Sequence, residues 1–155
     1  MSFRVRGLDP APFRHLYGLS AAALAGHGVA RRIADAQPGF PDRIEVRDAA
    51  PGESLLLLNH THQPADSPYR ASHAIFVREG AETPLDLVGA LPDALLVRPI
   101  SLRGFDGAGM MVEADLAEGV ALQPAIERLL ANPEIAYLHA HYARPGCYAA
   151  LIERA

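Results

Sequence analysis

Two His-x-His pairs are the residues of this sequence with the clearest capacity for chemistry. His60 and His62 form the first pair, and His139 and His141 form the second. On a β-strand, residues i and i+2 project from the same face, so each pair presents two imidazoles side by side. Imidazole nitrogens bind Zn, Fe, Cu or Ni, and they also hydrogen-bond to organic ligands. The spacing is therefore typical of a metal site or a ligand site, and equally of half-buried histidines that hydrogen-bond to the backbone.

Arginines near both pairs point to an anionic ligand. Residues 59–70 (NHTHQPADSPYR) are predicted to form a long polar loop, a kind of segment that often carries function. A guanidinium recognises a carboxylate or phosphate through its planar fork, although these arginines could also simply face solvent. The leading hypothesis is a binding domain for a small anionic molecule. Its site would contain His62, Tyr69, Arg70, His139, His141 and Arg144.

Two other functions stay open. In the first, His62, His139 and His141 hold a divalent metal that activates water for an enzymatic reaction. Carboxylate ligands for such a metal are scarce, because residues 59–70 contain only Asp66. In the second, the protein is a non-catalytic interaction module whose exposed sheet edge pairs with itself or with a partner.

Cys147 is the only cysteine, which excludes an internal disulfide and a Cys-rich zinc site. If Arg144 pairs with Cys147 across the predicted turn, the thiol projects with Tyr142 and away from His139 and His141. A β-bulge at the turn would change this register. The pattern favours a small buried hydrophobic residue over a nucleophile.

Short strands and short helices must position these groups. Period-two patterns and turn residues predict strands at 2–8, 29–35, 43–48, 55–58, 71–78, 99–105, 110–116, 135–143 and 147–154. Helices are predicted after Asp9, after the capping residue Ser20, within 83–97, and at 122–131. In the 110–116 strand, alternation predicts that Leu116 faces inward. The fold class is α+β, a largely antiparallel sheet of about eight strands with three or four short helices, in a single domain over residues 1–155.

Composition and charge exclude several classes of protein. With 50% hydrophobic residues, the 155-residue chain is not intrinsically disordered. A net charge of −4 gives no basic field for nucleic acid, and no apolar run is long enough to cross a bilayer. All 14 basic residues are arginine, which excludes a lysine nucleophile and otherwise reflects genome composition. The arginine-rich start is weakly similar to a targeting peptide, but its strand pattern leads us to expect a cytoplasmic protein.

Three segments resemble a small bacterial family defined only as domain of unknown function 1203. They are FRVRGLDPAPFRHLYGLS, LLLLNHTHQPADSPYRASHAIFVREGA and AYLHAHYARPGCYAALIER. The residues that match its pattern are His62, Gln63, Pro64, Tyr69, Arg70, His139, His141, Arg144, Gly146 and Cys147. At His60 and Tyr142 the family is expected to have Tyr and Asn, which leaves His62, His139 and His141 as the better metal candidates. The resemblance implies a single bacterial cytoplasmic domain, and no identified cofactor or activity comes with it.

Overall fold

The computed structural model describes residues 2–155, which form two β-sheets and short helices. The strands are β1 (Phe3–Arg6), β2 (Ala30–Ile33), β3 (Pro41–Asp42), β4 (Arg47–Asp48), β5 (Ser54–Gln63), β6 (Ala71–Arg78), β7 (Asp86–Val88), β8 (Ile100–Phe105), β9 (Met111–Ala117), β10 (Tyr137–Tyr142) and β11 (Tyr148–Arg154). The α-helices are α1 (Ala21–Gly26), α2 (Asp93–Leu96) and α3 (Leu122–Leu130). Single 3-10 turns occur at Arg14–Leu16 and Gly119–Ala121.

The larger sheet has six strands in the order β7-β1-β11-β10-β8-β9, and its pairings are antiparallel. Helix α3 has an apolar stripe that includes Leu122, Ile126 and Leu129. This stripe belongs to the same buried cluster as Leu138 of β10 and Ile152 of β11. One face of the sheet is therefore core, and the alternate residues of β8 and β10 project from the opposite face.

The smaller sheet has five strands in the order β2-β5-β6-β3-β4. Strand β5 pairs antiparallel with both β2 and β6, whereas β3 runs parallel to β6. The segment before β2 packs on this sheet, with Phe13, Leu16 and Leu24 in one cluster with Leu56 and Ile75. Strand β5 is ten residues long, and its second half extends beyond its pairing with β2.

The α+β class, the mainly antiparallel pairing and the two hairpins at 99–116 and 135–154 are confirmed. The single sheet of about eight strands is wrong, because the described strands divide into sheets of six and five. Residues 43–46 form a turn rather than the first part of the predicted 43–48 strand, and Val46 there has φ of 51°. The segment after Asp9 forms a turn and a 3-10 turn rather than an α-helix.

Three predicted helices are confirmed, and the one expected within 83–97 is α2. The Ser20 hydroxyl accepts a hydrogen bond from the Ala23 amide at 3.1 Å and caps α1. The helix predicted at 122–131 corresponds to α3. Across residues 2–155, no helix has the length and apolar character needed to span a membrane.

Candidate functional site

Strands β8 and β10 position the second histidine pair beside an arginine. His139 lies opposite Arg103, and His141 lies opposite Ser101. Directly opposed residues in an antiparallel pair share a face of the sheet. His139 and His141 are 6% and 1% exposed, and their ring centroids are 6.4 Å apart. The predicted side-by-side arrangement of this pair is confirmed, on the face of the sheet that does not contact α3.

The end of β5 brings a third imidazole to the same place. The ring centroid of His62 lies 4.9 Å from that of His141 and 6.2 Å from that of His139. His62 is the extra residue of a β-bulge, because Thr61 pairs with Ser72 and Gln63 already pairs with Ala71. We call His62, His139 and His141 the histidine cluster. His60 lies nearby, with its ring 6.2 Å from that of Tyr148.

Aromatic side chains surround the histidine cluster. The Tyr148 ring stacks on His62 at 5.5 Å and meets the edges of His139 and His141 at 5.2 and 5.9 Å. A second bulge makes these contacts possible, because Ala140 pairs with Ala150 but His141 pairs with Tyr148. On the other side of His139, Phe105 and Tyr137 lie 5.1 and 5.2 Å away. This packing fixes the orientations of the imidazoles.

Hydrogen bonds fix the proton on one imidazole. The Gly146 carbonyl lies 3.0 Å from Nδ1 of His141. Since a carbonyl only accepts, Nδ1 carries the hydrogen and Nε2 keeps its lone pair. Gly146 has φ of 82°, a conformation that glycine adopts without strain. Nδ1 of His62 and Nδ1 of His139 are buried and have no hydrogen-bond partner among the described residues.

The imidazoles of the histidine cluster are neutral at pH 7. Burial lowers the pKa of His62 and of His141 to about 4 and that of His139 to about 3. The positive charge of Arg103 contributes to all three pKa shifts in the same direction. Neutral imidazoles retain both donor and acceptor nitrogens.

Arg103 gives the site its charge. Its Nε donates to the Ser101 hydroxyl at 3.3 Å, and Ser101 lies opposite His141, so the guanidinium extends along β8 towards the position of His141. Within residues 2–155, neither Arg103 nor any residue of the histidine cluster lies within 4 Å of a carboxylate. The site thus combines one unpaired positive charge with neutral hydrogen-bonding groups, which favours an anion.

A metal ion fits these groups less well. The described part of the chain has no set of three His, Cys, Asp or Glu side chains placed to hold a metal ion. The guanidinium of Arg103 repels a divalent cation, and no carboxylate offsets that repulsion.

The other predicted site residues lie apart from the histidine cluster or at its margin. Tyr69 packs edge-on against Phe105 at 6.2 Å, so it lies beside the aromatic residues around His139. Arg70 is exposed, and its Nη1 donates to the Pro64 carbonyl at 2.5 Å. Arg144 is exposed and lines a separate cavity, together with Cys147 and Tyr142. Of the predicted six, the structure thus brings together His62, His139 and His141, with Tyr69 beside them, and places Arg144 in a separate cavity.

The loop before β6 is shorter than predicted, because residues 59–63 belong to β5. Gln63 is buried, and its Nε2 donates to the Tyr137 hydroxyl at 3.0 Å, which ties the end of β5 to β10. The Ser67 hydroxyl donates to the Gly109 carbonyl at 2.9 Å. These bonds hold the loop against the β8–β9 hairpin, beside the histidine cluster.

Sequence reasoning missed Arg103. The sequence feature that could have identified it is the alternation of Ser101, Arg103 and Phe105 in a predicted strand. This alternation places a charge between a hydroxyl and an aromatic ring on one face of the strand. A lone arginine in an alternating strand usually faces solvent. Arg103 differs because its strand pairs with β10, which places it opposite His139, and this pairing is not visible in the local sequence.

Comparison with known proteins identifies the family of this chain. The sequence matches the family described as "Protein of unknown function (DUF1203)" over residues 39–154. No curated protein and no solved structure matches the chain. The matched range includes Arg103, the histidine cluster and the strands that carry them. The chain therefore belongs to the DUF1203 family.

Proposed function

We propose that this protein binds a small oxyanion, a phosphate or carboxylate group, between Arg103 and the histidine cluster. The observation that carries the proposal is the unpaired charge of Arg103 beside three neutral imidazoles. Arg103 is only half-exposed, and burial lowers the pKa of its guanidinium. A partly buried charge is unfavourable without a counter-ion, and a bound anion supplies one.

The hydrogen-bonding groups indicate what kind of anion fits. Arg103 donates charged N–H groups to anionic oxygens. The acceptor nitrogen of His141 calls for a hydroxyl on the ligand, because its Nδ1 already donates to Gly146. A ligand with a negative oxygen and a hydroxyl satisfies both residues. Hydrogen phosphate and α-hydroxy acids have this combination.

The metal-dependent enzyme is the weaker alternative, since the charge of Arg103 opposes a cation. In the anion proposal, Arg103 takes the anchoring role that the sequence suggested for Arg70 and Arg144. Tyr69 contributes indirectly, through its contact with Phe105 at the edge of the site.

Isothermal titration calorimetry with inorganic phosphate tests the proposal. The wild-type chain should bind phosphate saturably, and Arg103→Gln should weaken binding by about tenfold or more, since a hydrogen bond to a charged group is lost. Arg32→Gln is the matched control, because Arg32 is an exposed arginine on β2 and is not part of the proposed site. Absence of phosphate binding to wild type, or equal affinity in Arg103→Gln, would overturn the proposal.

A further inference from the structure

A cavity of about 520 Å³ lies on the side of β10 away from the histidine cluster. We call it the basic cavity, and its charged and polar lining residues are Arg43, Arg98, Arg144, His73, Glu118, Tyr142 and Cys147. Tyr142 alternates with His141 along β10 and so projects from the opposite face of the strand. The volume is in the usual range for sites that hold a small organic molecule.

Arg43 is the unusual residue of the basic cavity. It is 2% exposed, and among the residues described it has no carboxylate within 4 Å. Its guanidinium donates to the carbonyls of Tyr148 and Pro41 at 2.8 and 2.5 Å and to Sγ of Cys147 at 3.0 Å. Three of its five N–H groups are thus used, and one on each Nη is left for a ligand.

Tyr142 connects Arg43 to a second guanidinium. Cζ of Arg43 and Cζ of Arg98 lie 4.9 and 5.0 Å from the centroid of its ring. Tyr142 is 2% exposed, and its hydroxyl has no hydrogen-bond partner in the described part of the chain. The charge of Arg98 is offset, because Asp48 accepts two hydrogen bonds from it at 2.5 and 2.9 Å. The charge of Arg43 is not offset in this way.

The rest of the lining sets the character of the ligand. Arg144 and Glu118 are exposed residues of opposite charge on the lining, so they add no net charge. Leu57, Ile75 and Phe76 contribute apolar surface. A buried guanidinium with no carboxylate within 4 Å, beside apolar walls, matches a molecule with a single negative group and an apolar body.

We infer that the basic cavity is a second binding site, which takes a monocarboxylate with an apolar body and pairs its carboxylate with Arg43. This site is distinct from the oxyanion site at Arg103, because its lining residues do not include Arg103 or the histidine cluster. The carboxylate would accept from both Nη atoms of Arg43, in the parallel geometry that guanidinium and carboxylate favour. Cys147 lies beside the bound group and serves as a reporter of occupancy.

Calorimetry with 4-phenylbutyrate and its neutral amide tests the inference. The acid should bind the full-length chain saturably, with Kd of about 1 mM or tighter, as is reasonable for a molecule of this size. The amide should bind about tenfold more weakly or worse, because it cannot neutralise Arg43. No binding of the acid, or equal binding of acid and amide, would overturn the inference. Arg43→Gln, if it folds, should remove the preference for the acid.

Alkylation of Cys147 by iodoacetamide then locates the ligand. Cys147 is the only cysteine, so the labelled mass reports this one thiol. Phenylbutyrate should slow labelling at concentrations near its Kd, whereas inorganic phosphate, bound at Arg103, should not. If the acid binds by calorimetry but labelling continues at the unliganded rate, the carboxylate is not beside Cys147 and the assignment to this cavity is wrong. If the unliganded thiol resists labelling, a Cys147→Phe variant that blocks the cavity should lose acid binding, and unchanged binding contradicts the assignment.

Discussion

The imidazole of His62 meets that of His141 nearly at right angles, with ring centroids 4.9 Å apart, although the two residues belong to different sheets. The contact exists because β5 extends past its pairing with β2 and reaches β10 of the larger sheet. The bond from Gln63 to the Tyr137 hydroxyl fixes the same junction one residue further along. The histidine cluster is therefore a site that neither sheet forms alone.

Acid should destabilise the protein through the histidine cluster. The folded-state pKa values are about 3 to 4, below the ordinary value of 6.5. Below about pH 6.5 the unfolded chain takes up protons that the folded chain excludes, so the free energy of unfolding falls as pH falls towards 4. Each excluded proton contributes up to about 1.4 kcal/mol per pH unit. Urea denaturation between pH 7.5 and 4.5 measures this slope.

Replacement of a buried histidine should flatten that slope. His139→Gln removes one excluded proton, so the free energy of unfolding should fall less steeply between pH 7.5 and 4.5 than in the wild type. A slope that is the same in wild type and His139→Gln would show that His139 does not exclude a proton in the folded state.

Two tyrosine hydroxyls should contribute differently to stability. Tyr137→Phe removes the acceptor of the buried Gln63 amide, which should lower the free energy of unfolding by about 1 kcal/mol. Tyr142→Phe removes a buried hydroxyl with no partner among the described residues, so stability should be unchanged or higher. Denaturant titration of both variants measures the difference. A larger loss in Tyr142→Phe than in Tyr137→Phe would contradict these roles.

The loop beside the histidine cluster depends on a close approach at Gly109. A Cβ there would lie 2.3 Å from Cβ of Ala65, and Gly109 has φ of 78°. Gly109→Ala should therefore cost about 1–3 kcal/mol and displace the loop that carries Tyr69. Gly107→Ala is the matched control in the same hairpin, since its Cβ would meet no atom within 4 Å, and thermal unfolding compares the two. Equal melting temperatures for both variants and wild type would show that the loop does not depend on this contact.

The sequence grouped His62, His139 and His141 as one candidate site, but it did not indicate whether or how their rings meet. The period-two pattern of β10 correctly predicts that His139 and His141 share a face. The contacts of His62 and Tyr148 depend on two β-bulges, at His62 and at Ala149. A bulge is a response to packing between strands that are distant in sequence, so local periodicity does not indicate it.

Tertiary contacts also overrode local patterns elsewhere. Alternation predicted that Leu116 faces inward, but it is 65% exposed. Asp115 and Glu113 instead face α3, where Arg128 donates to both carboxylates at 2.6 Å. The hydrophobic pattern predicted that the face of β9 with Leu116 would be buried. In the structure α3 lies against the opposite face, which carries Glu113 and Asp115. The buried Arg43 was missed for a related reason, since its carbonyl partners Pro41 and Tyr148 are brought together only by the fold.

The central claim is that Arg103 and the histidine cluster bind an oxyanion together. NMR titration of the imidazole nitrogens with inorganic phosphate at pH 7.5 tests it most directly, because each histidine reports separately. We expect saturable shifts of the His62, His139 and His141 resonances with one common Kd, which rises about tenfold or more in Arg103→Gln and is unchanged in Arg32→Gln. Shifts confined to the exposed His15 and His27, or an unchanged Kd for the cluster in Arg103→Gln, would contradict it.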